Sequence, residues 1–157
     1  MKTPAITRSE WLRKPSVISW LRLARVHQKV SRATTEFMRE YGLSMAQFDV
    51  LAQISATDGC TQQELADRLF VTKGNISQLL ERLEQRGLIR RKPQGRAYRL
   101  YLTDEGQSLT AKAIPTQEEF IARLFGGLSY DEQSQLRHLL HRLDHELAHE
   151  LERDFEG

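Results

Sequence analysis

The sequence predicts a mainly α-helical protein with one small β-hairpin, on three observations. Both ends carry long runs whose apolar residues recur at spacings of three and four, the middle holds two short helical segments with their own start signals, and one stretch, "YRLYLT" at 98–103, alternates apolar and polar residues. The composition, 39% hydrophobic and 28% charged over 157 residues, is that of a folding chain rather than a disordered one. Its length allows one compact domain, or a small domain plus helices that need a partner.

The first helix is expected from Ser16 to Tyr41, after Pro15. Val26, Val30, Ala33, Phe37 and Tyr41 keep to one face, and Gly42 supplies the stop. Ser44 with Gln47 forms a capping box that starts a second helix bearing Phe48, Leu51 and Ile54, ending near "TDG" at 57–59. A second box, Thr61 with Glu64, opens a short helix with Leu65, Ala66 and Leu69 inward. After "FVTKG", Thr72 is the expected N-cap of a fourth helix, with Ile76, Leu79, Leu80 and Leu83 inward and Gly87 as its left-handed C-terminal cap. Two short helices joined by a tight turn make a helix-turn-helix pattern.

"LIRRK" and "YRLYLT" then flank Pro93, Gln94 and Gly95 as a hairpin with a basic tip, Tyr98, Leu100 and Leu102 forming its buried side. From about Asp104 helical spacing resumes through Leu109, Ala113, Phe120 and Leu124, and Pro115 is expected to bend that helix or restart it. Ser129 with Glu132 caps the last helix, along which Leu136, Leu140, Leu143, Leu147 and Leu151 form a stripe. Long first and last helices with apolar stripes are material for a dimer.

The formal net charge of +2 conceals a strong asymmetry. Arg86, Arg90, Arg91, Lys92, Arg96 and Arg99 lie between Gln85 and Thr103 without an acid among them, whereas Asp144, Glu146, Glu150, Glu152, Asp154 and Glu156 crowd the C-terminus. A cation cluster beside a helix-turn-helix points to double-stranded DNA, since neutralised phosphates release counterions and give salt-sensitive affinity. At about 100° per residue, the fourth helix turns Gly74, Gln78 and Glu81 outward, with Asn75, Ser77 and Arg82 at the edges. Gln and Asn pair with adenine edges, Gly74 permits close backbone approach, and Lys73 at the helix start suits a phosphate. The DNA-contact candidates are therefore Lys73, Gly74, Asn75, Ser77, Gln78 and Arg82 on the helix, with Arg90, Arg91, Arg96 and Arg99 on the hairpin. Ordinary surface polarity is the alternative for Gln78 and Asn75.

From about Leu43 to Gly106, the ordered segments "LSMAQFDVLAQI", "TQQELADRLFVTKGNISQLLERLEQRGLIRR" and "GRAYRLYLTDEG" resemble the MarR family of transcription regulators. The "LE-x-x-GLI-x-R" end of the fourth helix and the "LT-x-x-G" exit from the hairpin are its most specific parts. The resemblance implies a fold that is mainly α with a small β-hairpin wing: a winged helix-turn-helix domain flanked by long dimerisation helices. It divides the chain into an N-terminal arm and dimerisation helix at 1–42, the winged DNA-binding region at 43–106 and C-terminal dimerisation helices at 107–157.

It further implies a homodimer, most often a repressor, whose two recognition helices enter successive major grooves while the wings reach flanking minor grooves. Arg96, seven residues before Thr103, matches the family's wing arginine. At Gln94 the chain departs from the pattern, since many members carry there an acid that orients neighbouring arginines. Members of the family commonly release DNA on binding a small aromatic or amphipathic effector in a crevice between dimer region and DNA-binding lobe, and Trp20, His27, Met45 and Phe48 are the expected lining here. A core role is the alternative for Met45 and Phe48.

Two features invite other chemistry. Cys60, the sole cysteine, precedes a helix start, where the dipole favours a thiolate, but it has no partner in its own chain and a small semi-buried hydrophobe is the expected reading. "HELAH" at 145–149 matches the zinc-hydrolase pattern, with His145 and His149 as ligands and Glu146 as base. Yet His138, His141, His145 and His149 fall opposite the leucine stripe, on an outward face without a cleft, so neither enzyme activity, a metal site nor a cofactor is expected. Residues 1–16 hold Arg8, Glu10, Arg13 and Lys14 and no apolar run, and no segment is long enough for a membrane span, so a cytoplasmic protein with no membrane partner is expected.

Overall fold

The computed structural model describes residues 14–69 and 73–155, without the side chains of Lys73 and of 151–155. The chain forms two compact units, one up to Gln117 and one from Glu118.

In the first unit, α1 spans Pro15–Met38, with Pro15 in its first turn where a missing N–H costs nothing. It ends three residues short of the expected Tyr41, in a 3-10 turn at Arg39–Tyr41 closed by Gly42 at φ 64. Met38 and Thr34 are buried, and the Thr34 hydroxyl donates to the Val30 carbonyl at 2.9 Å. Ile18, Trp20, Leu21, Leu23 and Val26 in the N-terminal half are exposed among the described residues.

Helix α2, Met45–Ser55, starts on the expected box: Gln47 N–H donates to the Ser44 hydroxyl at 3.1 Å and Ser44 N–H to Gln47 Oε1 at 3.0 Å. A two-residue strand follows, β1 at Cys60–Thr61, which the sequence reading does not contain. Helix α3, Gln62–Leu69, opens on the Thr61–Glu64 box; the Thr61 N–H on the Glu64 carboxylate at 2.8 Å holds that acid below its usual value. Helix α4 is Lys73–Gln85; its expected cap Thr72 lies outside the described residues.

Strands β2, Ile89–Gln94, and β3, Ala97–Leu102, form the hairpin, and the sheet order is β1-β3-β2, all antiparallel. The turn is Gly95–Arg96 with Gly95 at φ 61, so Pro93 and Gln94, expected in the loop, belong to the strand. A proline is tolerated there because β2 is a sheet edge. Leu100 and Leu102 are buried as expected, but Tyr98 is 58% exposed, since the hairpin outruns the core toward its tip.

The core joins Met38, Leu51, Ile54, Leu65, Ile76, Leu80, Leu83, Ile89 and Leu100 from α1 to α4 and the sheet. Each such side chain contributes roughly 1.5–3 kcal/mol on leaving water, which fixes α4 against its neighbours. The exit from the hairpin is held by Thr103, whose hydroxyl donates to Gly87 O at 2.5 Å and accepts the Gly106 N–H at 3.1 Å. A Cβ on Gly106 would overlap the Leu88 carbonyl, which gives the "LT-x-x-G" segment a steric reason.

Helix α5, Asp104–Leu124, continues through Pro115 rather than restarting. The Thr116 hydroxyl donates to Lys112 O at 2.7 Å next to the carbonyl the proline leaves without its N–H. In the second unit, the Ser129–Glu132 box starts α6, Tyr130–Phe155, and Gln133 closes the preceding turn on the Phe125 and Leu128 carbonyls. Leu140, Leu143 and Leu147 of the leucine stripe are exposed, and Leu136 is half-buried.

A candidate nucleic-acid interface

Helix α4 turns its apolar face inward, with Ile76, Leu80 and Leu83 at 0% exposure and Leu79 partly buried against the core. What remains outside is small or polar: Gly74, Asn75, Gln78, Glu81 and Arg82 are exposed. A Cβ on Gly74 would meet nothing within 4 Å among the described residues, so no contact among them demands glycine there. Ser77 is half-buried and its hydroxyl accepts a hydrogen bond from Gln62 Nε2 at 2.6 Å, tying α3 to α4. Gln62 is thus a residue the sequence reading missed; its partner stands fifteen residues away, beyond any local signal. Lys73 sits at the helix start, and its side chain lies outside the described residues.

The six cations between Gln85 and Thr103 separate into two groups. Arg86 donates to Gly42 O at 2.9 Å and locks the end of α4 to the α1–α2 turn. Arg99 is half-buried and donates to Gly59 O at 2.8 Å, beneath the pairing of β1 with β3. Arg91 Nε stands 3.2 Å from Glu84 Oε2 without an aligned hydrogen bond, a half-exposed pair worth under about 1 kcal/mol. Among the described residues Arg90, Lys92 and Arg96 join no ion pair; Lys92 lies 5.0 Å over the Tyr101 ring and Arg96 is exposed in the turn. Gln94 is exposed at the tip, paired with Ala97.

The four expected effector residues stand in different surroundings. Trp20, 63% exposed, and His27, whose Nε2 is 3.4 Å from Ser31 Oγ, lie on the open side of α1, whereas Phe48 is in the core and Met45 packs against it. A cleft of about 600 Å³ lies elsewhere, between the end of α2, the hairpin and α5, and none of the four lines it. Cys60 is 1% exposed within the core, and burial pushes its thiol upward, away from a reactive thiolate. His145 and His149 stack edge to face at 4.5 Å on an exposed helix, and among the described residues no three metal-binding side chains converge.

Residues 41–99 match the family model described as MarR family. An uncharacterized HTH-type transcriptional regulator of Bacillus cereus is 38% identical over 79% of this chain and 85% of its own. The chain belongs to the MarR family. Among solved structures, this MarR-family chain is similar to a mutant MarR from E. coli complexed with operator DNA, at TM-score 0.74 and 28% identity over 82% of this chain and 95% of the other. It is similar also to MepR of S. aureus in a DNA complex, at TM-score 0.75 and 25% identity over 82% and 96%. These relatives are transcription regulators, so the "HELAH" segment is no hydrolase signature here. No described helix is long and apolar enough to cross a membrane.

Proposed function

We propose that the protein is a homodimeric, sequence-specific DNA-binding transcription regulator of the cytoplasm, acting as a repressor that a small aromatic or amphipathic molecule releases. The observation that carries the reading is the pairing of a polar-faced α4 with an acid-free cationic hairpin, in a chain similar to proteins crystallised on DNA. Gly74, Asn75, Gln78 and Arg82 read the major groove and Lys73 meets a phosphate. Arg90 and Arg96 reach the backbone and minor groove, and Ser77, Arg91 and Arg99 support that surface from within. The apolar residues of α1 exposed among the described residues and the exposed leucines of α6 support assembly with a second copy, and the division into 1–42, 43–106 and 107–157 belongs to the same proposal. Two half-sites about one helical turn apart are then needed.

Release by an effector would act through that spacing, and Trp20 and His27, being open to a partner, are the better remaining lining candidates beside Met45 and Phe48. Fluorescence anisotropy with labelled DNA from upstream of the coding region, over a salt series and against a scrambled duplex, tests the reading. Tighter binding to the upstream fragment with a steep salt slope is expected. No binding to either duplex at low salt refutes it.

A further inference from the structure

The proposed DNA surface makes no use of the histidine row on α6. His138, His141, His145 and His149 follow one another at spacings of three, four and four, which keeps them on one side of the helix. All four are exposed, as is every residue from 137 to 150, and they lie opposite Leu136, Leu140, Leu143 and Leu147. A second copy covering those leucines therefore leaves the imidazoles in solvent. Lack of a cleft excludes hydrolysis there, but chelation of an ion by two imidazoles needs no cleft. The rings of His145 and His149 have their centres 4.5 Å apart. Imidazole nitrogen binds a divalent transition-metal ion at about 2.0–2.1 Å, so two rings at a right angle on one ion put their centres roughly 4.5 Å apart. The χ2 torsion of histidine is soft, so each ring can turn a nitrogen toward a shared ion while the helix stays still.

We infer that His145 and His149 chelate one divalent transition-metal ion of tetragonal preference, Cu2+ or Ni2+, with water in its other positions. Nitrogen ligands at a right angle suit those ions, whereas Mg2+ and Ca2+ take oxygen. Among the described residues no third ligand joins the pair, which separates this open chelate from the three-ligand zinc of hydrolases. Residues 141–150 set Asp144, Glu146 and Glu150 against Arg142 alone, so the local potential favours a cation. The ion ties consecutive turns of α6 together along a stretch that is exposed throughout, where packing among the described residues lends the helix no support. Binding to the helical form alone then slows its opening. The site lies wholly on α6 and does not rest on the DNA-binding reading.

The test is calorimetric titration of the untagged full-length protein with NiCl2 and, as the oxygen-preferring counterpart, MgCl2, at about pH 7.5, where imidazole is mostly neutral. One Ni2+ per chain is expected, and no heat from Mg2+. His145→Ala and His149→Ala should each weaken Ni2+ by at least about tenfold. His27→Ala on α1 and His138→Ala should leave it unchanged. All these side chains are exposed, so the variants keep the fold, which circular dichroism checks. Hydrogen exchange should show Ni2+ slowing the amides between 145 and 150 in the native chain and not in His145→Ala. No heat with millimolar NiCl2, equal binding of Ni2+ and Mg2+, undiminished binding by His145→Ala or His149→Ala, or loss of binding in His27→Ala each overturns the proposal. The isotherm decides the site whether or not the protein binds DNA, so the two readings fail separately.

Discussion

Replacing Arg96 by Ala isolates the hairpin tip. The turn depends on the positive φ of Gly95 and on the Gln94–Ala97 pair, not on the Arg96 side chain, which is exposed and makes no hydrogen bond or ion pair among the described residues. Stability should therefore change by no more than about 0.5 kcal/mol. DNA binding should change greatly. Each phosphate neutralised adds about 0.9 to the dependence of log K on log salt, so in the proposed dimer the three hairpin cations of each chain that are unpaired among the described residues would account for a slope of about 5. Loss of both Arg96 side chains lowers that slope by about 1.8 if they meet phosphates. If they enter a minor groove, the cost is about 1–3 kcal/mol each, at least about thirtyfold in a dimer. Anisotropy titrations at four salt concentrations measure slope and affinity together, and thermal unfolding checks the fold. A variant with unchanged slope and affinity would show that the hairpin tip does not touch DNA.

Arg99→Ala should behave in the opposite way. Losing the guanidinium on Gly59 O costs about 1.5–3 kcal/mol, so a Tm lower by several degrees is expected, with a salt slope altered by less than one unit; a fall in slope at constant Tm refutes the anchoring role. Gly106→Ala, forced against the Leu88 carbonyl, should lose about 3 kcal/mol in urea unfolding, whereas Gly74→Ala, with open space around it, should keep or raise stability while weakening DNA binding. Burial raises the Cys60 thiol above its unfolded value, so native protein should react with iodoacetamide at pH 8 far more slowly than urea-unfolded protein. Because the folded state keeps that proton longer, this group's contribution to stability is constant below about pH 8.5 and falls as pH rises above it; the extra loss of urea midpoint between pH 8 and 10 should vanish in Cys60→Ala.

Local chemistry was legible in the sequence. The three capping boxes, Ser44 with Gln47, Thr61 with Glu64 and Ser129 with Glu132, form with the expected donors because every partner is three residues away. The inward set of α4 follows from helical geometry, and Gly42 and Gly87 stop their helices at positive φ. Where a neighbour distant in sequence decides, local spacing carries no signal. Strand β1 is only two residues long and exists because Leu100 and Arg99 pair with it. The hairpin turn moves to Gly95–Arg96 because edge position excuses Pro93 from donating.

The candidate site divides along the same line. Its location, a polar helix face beside a cation cluster, is written in spacing and charge. The separate tasks of the cations are not, because an arginine's task depends on which acceptor lies within hydrogen-bond reach. Gly59 O stands forty residues from Arg99, and Gly42 O forty-four from Arg86. The sequence by itself determined which segments become helices, where they start and where positive charge collects, since those properties arise from neighbours within one or two turns. The tertiary structure alone decided which of those charges is spent on holding the fold and which stays in solvent, because carbonyls and carboxylates far along the chain become neighbours only after the core has closed.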